Sequence, residues 1–159
     1  MKGDPKVLEA LNQALTAELT AINQYFIHAE VYENLGYDKL HAHVKRDSID
    51  EMKHAEALIE RILFLDGQPN MSRYNEIKVG SKVEDMLAND LALEKDAVAF
   101  YNQAVALCAQ AGDNGSRDLF QTLLTDEERH LDWLETQLGL IQQIGIGNYL
   151  SQHLSGPEG

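Results

Sequence analysis

The chain runs to 159 residues, with 26 acidic side chains against 13 Lys and Arg and a formal net charge of −13. That balance excludes nucleic-acid binding through a basic patch, the lone Cys108 excludes an internal disulfide, and no apolar run is long enough to span a membrane. The length suits one domain with a full core, and without an apolar leader the expected location is the cytoplasm.

Asp4-Pro5 reads as an N-cap followed by proline at the first helical position, so the first helix is predicted over 5–34, stopping at Gly36. Asp38 is then the expected cap of a second helix over 38–66, ended by Gly67 and Pro69. The short turn makes these two antiparallel neighbours. Residues 67–80 carry Gly, Pro, Asn and Ser without a helical period and read as one long connection. Extended, it reaches about 46 Å, enough to return along a helix of roughly 42 Å. The second and third helices are therefore expected to be parallel. Ser81-Lys82-Val83-Glu84 has the pattern of a capping box for a third helix over 82–111, which ends at Gly112. Asp113 or Asn114 opens a fourth over 114–144, with Gly145 or Gly147 as its stop. A short fifth helix over 147–154 follows, one that the core of this chain does not obviously need. The fold class is all-α: a four-helix bundle with one long crossover and a short C-terminal helix, in a single domain over 1–159.

Each long helix carries an apolar seam at alternating steps of three and four residues, and one glutamate interrupts each seam. The first is Leu8, Leu11, Leu15, Glu18, Ile22, Tyr25 and Ala29; the second is Val44, Ser48, Glu51, Ala55, Leu58, Ile62 and Leu65. The third is Leu87, Leu91, Glu94, Val98, Tyr101, Val105 and Cys108; the fourth is Phe120, Leu124, Glu127, Leu131, Leu134, Leu138 and Ile141. Glu51 and Glu127 each open a Glu-x-x-His, which puts His54 and His130 on the same side of the helix as their glutamates. One common interval separates Glu18 from Glu94, Glu51 from Glu127, His54 from His130 and Tyr25 from Tyr101. A lone Glu-x-x-His is commonly a solvated surface pair. Four carboxylates at core positions are another matter, because a buried ionised carboxylate is costly unless something compensates it. Two divalent cations cancel four negative charges, and carboxylate with imidazole suits iron, manganese or zinc. Glutamates from four helices with two Glu-x-x-His pairs form the general pattern of di-iron helical bundles.

Around this centre, Asp90, one turn before Glu94, and Asp126 are candidate acceptors for the second ring nitrogen of His54 and His130. Tyr25 lies two turns from Glu18 on one seam, near enough to hydrogen-bond the centre or donate an electron; packing alone accounts for Tyr25 and Tyr101 equally. Trp133 is a weaker candidate for the same redox role. Cys108, at a seam position, reads as a plain buried thiol. The second helix has an outer apolar stripe of Ile49, Met52, Ile59 and Leu63. Met52 is about 100° around the helix from Glu51, so the stripe faces outward and marks a partner surface. Its methionine is either packing or a thioether ligand held between two chains.

The whole chain resembles the bacterioferritin family. The resemblance is carried by Met-Lys-Gly-Asp (1–4), Asn-Gln-Tyr-Phe (23–26) and Ser-Ile-Asp-Glu-Met-Lys-His-Ala (48–55), then by Arg-Ile-Leu-Phe-Leu (61–65), Glu-Thr-Gln-Leu-Gly-Leu-Ile (135–141) and Asn-Tyr-Leu (148–150). It implies a ferritin-like bundle in a homo-oligomeric hollow shell of twenty-four subunits built from two-fold dimers, a ferroxidase that oxidises Fe(II) with dioxygen or peroxide and stores ferric mineral. Two iron ions per subunit are implied, held by Glu18, Glu51, His54, Glu94, Glu127 and His130 with Glu51 and Glu127 bridging. Met52 matches the methionine that, with its twin, ligates a haem b shared between two subunits, through which a small ferredoxin passes electrons for iron release. Whether shells mix with a second ferritin subunit type is left open, and the tail resembles the helix that lines the four-fold pores. Arg46 stands where some members carry a His paired with Asp50, so an accessory iron site at Asp50 is not implied; Ser151 follows Leu150 where a Gln is often found, and Leu58 replaces a tyrosine of some members. The alternative from another class is a non-storing di-iron oxidase or peroxidase, for which the tail helix and outer stripe have no use.

Overall fold

The computed structural model describes residues 1–155, whose regular elements are all helical: α1 (Pro5–Asn34), α2 (Asp38–Phe64), α3 (Val83–Gln110), α4 (Asn114–Ile144) and α5 (Ile146–Ser151). Asp4 caps α1, accepting from the N–H of Lys6 at 2.7 Å and of Val7. Gly36 then turns the chain at φ +89, a left-handed conformation that costs glycine little.

The start of α2 differs from the expectation. Tyr37 is the cap and makes no side-chain bond, and Asp38 lies inside the first turn, where its charge meets the positive end of the helix. The donor at Lys39 is taken by the carbonyl of His153 at 3.1 Å, so a remote segment supplies the acceptor a capping side chain would give. At the other end α2 stops at Phe64, and the left-handed residue is Asp66 (φ +58) rather than Gly67. Gly67 is needed for space instead: a Cβ there would lie 2.5 Å from Leu8 Cδ2.

The crossover is fastened to α1 by side chains spaced four residues apart along one face. Asn12 Oδ1 accepts from the N–H of Asn70 (2.8 Å), Thr20 Oγ1 from Asn75 (3.0 Å), Gln24 Oε1 from Lys78 (3.1 Å) and His28 Nε2 from Gly80 (3.1 Å). Thr16 Oγ1 takes the Arg73 guanidinium at 3.0 Å. The loop thus climbs in the direction of α1, so α3 starts beside the end of α1 and runs parallel to α2, as the loop length implies. Ser81 closes no capping box; Lys82 is the cap, extended at φ −115 and ψ 157 and without a side-chain bond. Gly80 is pressed against the first turn of α3, where a Cβ would stand 2.6 Å from Met86 N. Asp113 caps α4 through the N–H of Ser116 (2.9 Å), and Arg61 of α2 grips the same carboxylate at 2.8 Å.

α5 is shorter than the expected 147–154, and it does serve the chain's own core. Tyr149 is buried in a cluster with Leu40 and Leu134, and its hydroxyl donates to Gln137 Oε1 at 2.8 Å. The core has two apolar parts: one around Leu11, Leu15, Leu58, Ile62, Tyr101 and Phe120, the other around Tyr25, Tyr32, Leu40, Val44 and Leu87. Each fully buried large side chain contributes about 1.5–3 kcal/mol. Between the two parts every long helix contributes one glutamate to a buried polar layer. On the outside of α2, Ile49, Met52 (56% exposed) and Leu63 face away from this layer as expected, but Ile59 is half-buried against the core around Leu58 and Ile62.

Candidate metal centre

The seam geometry brings Glu18, Glu51, His54, Glu94, Glu127 and His130 together, all buried. They fall into two sets whose ligand atoms lie within 4.8 Å of one another: Glu18, Glu51, His54 and Glu127 in one, Glu51, Glu94, Glu127 and His130 in the other. Glu51 and Glu127 belong to both. His54 Nδ1 lies 2.9 Å from Glu127 Oε1 and 3.6 Å from Glu18 Oε2. His130 Nδ1 lies 3.0 Å from Glu51 Oε1 and 3.6 Å from Glu94 Oε1.

Five polar atoms of this layer are buried without a hydrogen-bond partner: Glu18 Oε2, Glu51 Oε1, Glu94 Oε2, Glu127 Oε2 and His130 Nδ1. The His130 nitrogen is close to Glu51 but off the hydrogen-bond direction. Orphaned buried atoms cost free energy, and a set of oxygens and imidazole nitrogens converging on one layer fits two borderline-hard divalent cations.

Without metal, protons hold the charges together. Burial first, then the facing charges of Glu18 and Glu127, push the Glu51 carboxyl well above the carboxylate range. Burial and the Glu127 charge do the same to Glu94. Glu127 goes the other way: burial opposes its charge, but the close approach of Glu94 and His130 and the hydrogen bond to His54 hold it well below the usual range. His54, despite the desolvation that lowers it, is pushed up to about 11 by its hydrogen bond to Glu127 and the nearby Glu18 carboxylate. His130 is likewise pushed up to about 11, by Glu127 and Glu94. Any cation entering the layer would therefore have to displace protons.

The surroundings depart from the sequence reading in several places. Asp126 does accept from a ring nitrogen, His54 Nε2 at 3.0 Å, and is itself held by Arg129. Asp90 does not serve either histidine: its Oδ1 accepts from Gln24 Nε2 at 2.8 Å and pairs with His28 Nδ1 at 2.9 Å. The outer nitrogen of His130 faces Asp47 (3.6 Å) and Asp50 (3.5 Å) instead, at a cleft that Arg46 also lines. Tyr25 donates to Glu94, and Tyr101, read only as packing, donates to Glu18. Their equal spacing along the helix from Glu18 and Glu94 was the signal that could have pointed to both. Trp133 is half-buried and stacks on His43, ring centroids 3.7 Å apart, rather than on a ligand.

The family model for ferritin-like domains matches residues 8–144. A bacterioferritin of Mycolicibacterium paratuberculosis is 43% identical over 157 residues, 99% of each chain. A bacterioferritin of Streptomyces coelicolor is 46% identical over 95% of this chain and 90% of its own, and a bacterial ferritin of Synechocystis is 46% identical over 98% and 100%. Likeness of this extent, on a bundle with this polar layer, means that the chain belongs to the bacterioferritin family of ferritin-like proteins.

Proposed function

We propose that this chain is the subunit of an iron-storage shell and a ferroxidase, with Fe(II) as its substrate at the buried layer. The observation that carries the reading is the pair of four-residue sets sharing Glu51 and Glu127. Two Fe(II) ions held there supply one electron each to dioxygen or peroxide. Glu51 and Glu127 bind both ions and keep them close; Glu18 and Glu94 each hold one from the outside. His54 and His130 give up their protons to become nitrogen ligands. Asp126 orients the His54 ring. Tyr25 donates to the Glu94 oxygen that faces His130, and its phenol is placed to pass an electron inward.

The exposed Met52 with Ile49 and Leu63 supports an interface across a two-fold axis, in which Met52 and its twin ligate a shared haem b. A small ferredoxin is the proposed electron donor for release of stored iron, in a cytoplasmic shell of twenty-four subunits. The decisive experiment replaces Glu18 and Glu94 by Ala separately. Each variant is expected to assemble normally and to lose the fast phase of Fe(II) oxidation; fast oxidation surviving in both overturns the centre. A small dimer instead of a hollow shell on size fractionation would favour the non-storing oxidase or peroxidase.

A further inference from the structure

We propose that Tyr101 is a second positioning residue of the centre, fixing Glu18 for one metal ion as Tyr25 fixes Glu94 for the other. The inference deepens the dinuclear reading above and rests on it. Tyr101 follows Glu94 on the α3 seam at the spacing by which Tyr25 follows Glu18 on α1. Because the chain repeats itself in two halves, the two phenols cross between halves: Tyr25 of the first half donates to Glu94 of the second, and Tyr101 of the second donates to Glu18 of the first. They approach from opposite ends of the polar layer, Tyr101 from the core around Leu58 and Phe120, Tyr25 from the core around Leu40 and Leu87.

The consequence lies in the oxygen that each tyrosine leaves free. A carboxylate only accepts, so the Tyr101 hydroxyl must donate, and Glu18 Oε1 is the atom it engages. Glu18 Oε2 is left buried without a hydrogen-bond partner, 3.6 Å from His54 Nδ1, within the set formed with Glu51 and Glu127. On the other side Glu94 Oε2 is likewise buried without a hydrogen-bond partner, but the oxygen that lies 3.6 Å from His130 Nδ1 is Oε1, the one that Tyr25 engages. Tyr101 therefore selects the Glu18 oxygen that faces His54 and the metal set, while Tyr25 holds the Glu94 oxygen nearest His130. The Tyr101 ring also packs against Phe100 and Phe120, centroids 5.8 Å away in each case, so phenylalanine fills its place and removes only the hydroxyl.

The test uses Co(II), which is not oxidised on binding here and whose d–d absorption reports each site apart from turnover. The unsubstituted protein is expected to bind two Co(II) per chain. Tyr101→Phe is expected to weaken one of them by about ten-fold and shift its d–d bands, since outer-shell partners commonly carry that much affinity. The other ion stays bound and shows that the bundle is intact. Tyr25→Phe is expected to weaken the opposite ion. In a Glu94→Ala background Tyr101→Phe should act on the ion that remains, and in a Glu18→Ala background it should have no effect. Two normal Co(II) steps in Tyr101→Phe, equal loss of both ions, or loss of helical circular dichroism would each overturn the proposal in favour of packing alone. Failure of the unsubstituted protein to bind two Co(II) would overturn the dinuclear reading first and this proposal with it.

Discussion

Loading the centre with Zn(II), which cannot be oxidised, should expel protons in a number fixed by the geometry. In the metal-free chain His54 and His130 are both held at about 11 by the glutamates that surround them. At pH 7 both are imidazolium, and a metal needs each as a neutral ligand. Removing one proton from a group at about 11 costs roughly 5 kcal/mol at pH 7, at about 1.4 kcal/mol per pH unit. Two imidazolium protons per chain therefore leave when both ions bind, and burial with neighbouring charge pushes the Glu51 and Glu94 carboxyls in the same direction, toward holding protons that a cation displaces. The sign follows: lower pH weakens binding, by about ten-fold per pH unit for each proton released. Calorimetric titration in buffers of different ionisation enthalpy counts the protons directly. A release of fewer than about one proton per chain, or an affinity that does not change between pH 6 and 8, would refute the account of a proton-filled centre.

The sequence shows its centre more plainly than its edges, for a physical reason. A glutamate in an apolar seam is an anomaly that the local 3.6-residue period reveals, and four such anomalies with two histidines admit few compensations. Helix ends are settled by partners far away in the chain. Asp38 has every local mark of a cap, yet the carbonyl of His153 satisfies the donor at Lys39 and leaves Asp38 in the first turn. Asp90 illustrates the same limit. One turn from Glu94, it sits level with Gln24 and His28 across the bundle, and those groups take its carboxylate before either histidine can. The polar ladder of Asn12, Thr16, Thr20, Gln24 and His28 had a visible spacing of four, but a stripe of uncharged polar residues on a helix is ordinary until the loop that needs it is in place. Tyr101 passed as packing because an aromatic at a seam position is commonplace; only the cross-helix partner of its hydroxyl sets it apart.

Four further outcomes follow from particular contacts. Gly67→Ala forces a methyl to 2.5 Å from Leu8 Cδ2 and 3.2 Å from the Ile62 carbonyl, and should destabilise by about 1–3 kcal/mol in thermal melts; an unchanged melting temperature would show that the turn yields freely. Thr20→Val removes the acceptor of the Asn75 N–H and should cost about 1 kcal/mol while speeding proteolysis within residues 70–80; unchanged cleavage would show that the ladder does not hold the loop. For Asp113, burial opposes the charge but Ser116 and Arg61 hold the carboxyl below its usual range, so its contribution is present above the unfolded pKa of about 4 and is lost as pH falls through the lower folded value. Arg61→Ala should therefore destabilise at neutral pH, with the gap from the unsubstituted protein narrowing in acid; a gap independent of pH would assign the loss to packing over Phe64 instead. The last outcome concerns Met52, which is 56% exposed on α2 while Glu51, its neighbour in sequence, is 1% exposed. One residue turns the helix by about 100°, so the two side chains serve different surfaces. Uptake at the centre and electron entry through the proposed haem should then be separable by mutation. Met52→Leu, close to the same volume, is expected to keep the assembled shell and the fast phase of Fe(II) oxidation, to lose the haem absorption, and to slow reductive release of stored iron. A Met52→Leu protein with an unaltered haem spectrum would show that the ligand to the haem lies elsewhere, and one with slowed Fe(II) oxidation would show that the two faces of α2 are coupled after all.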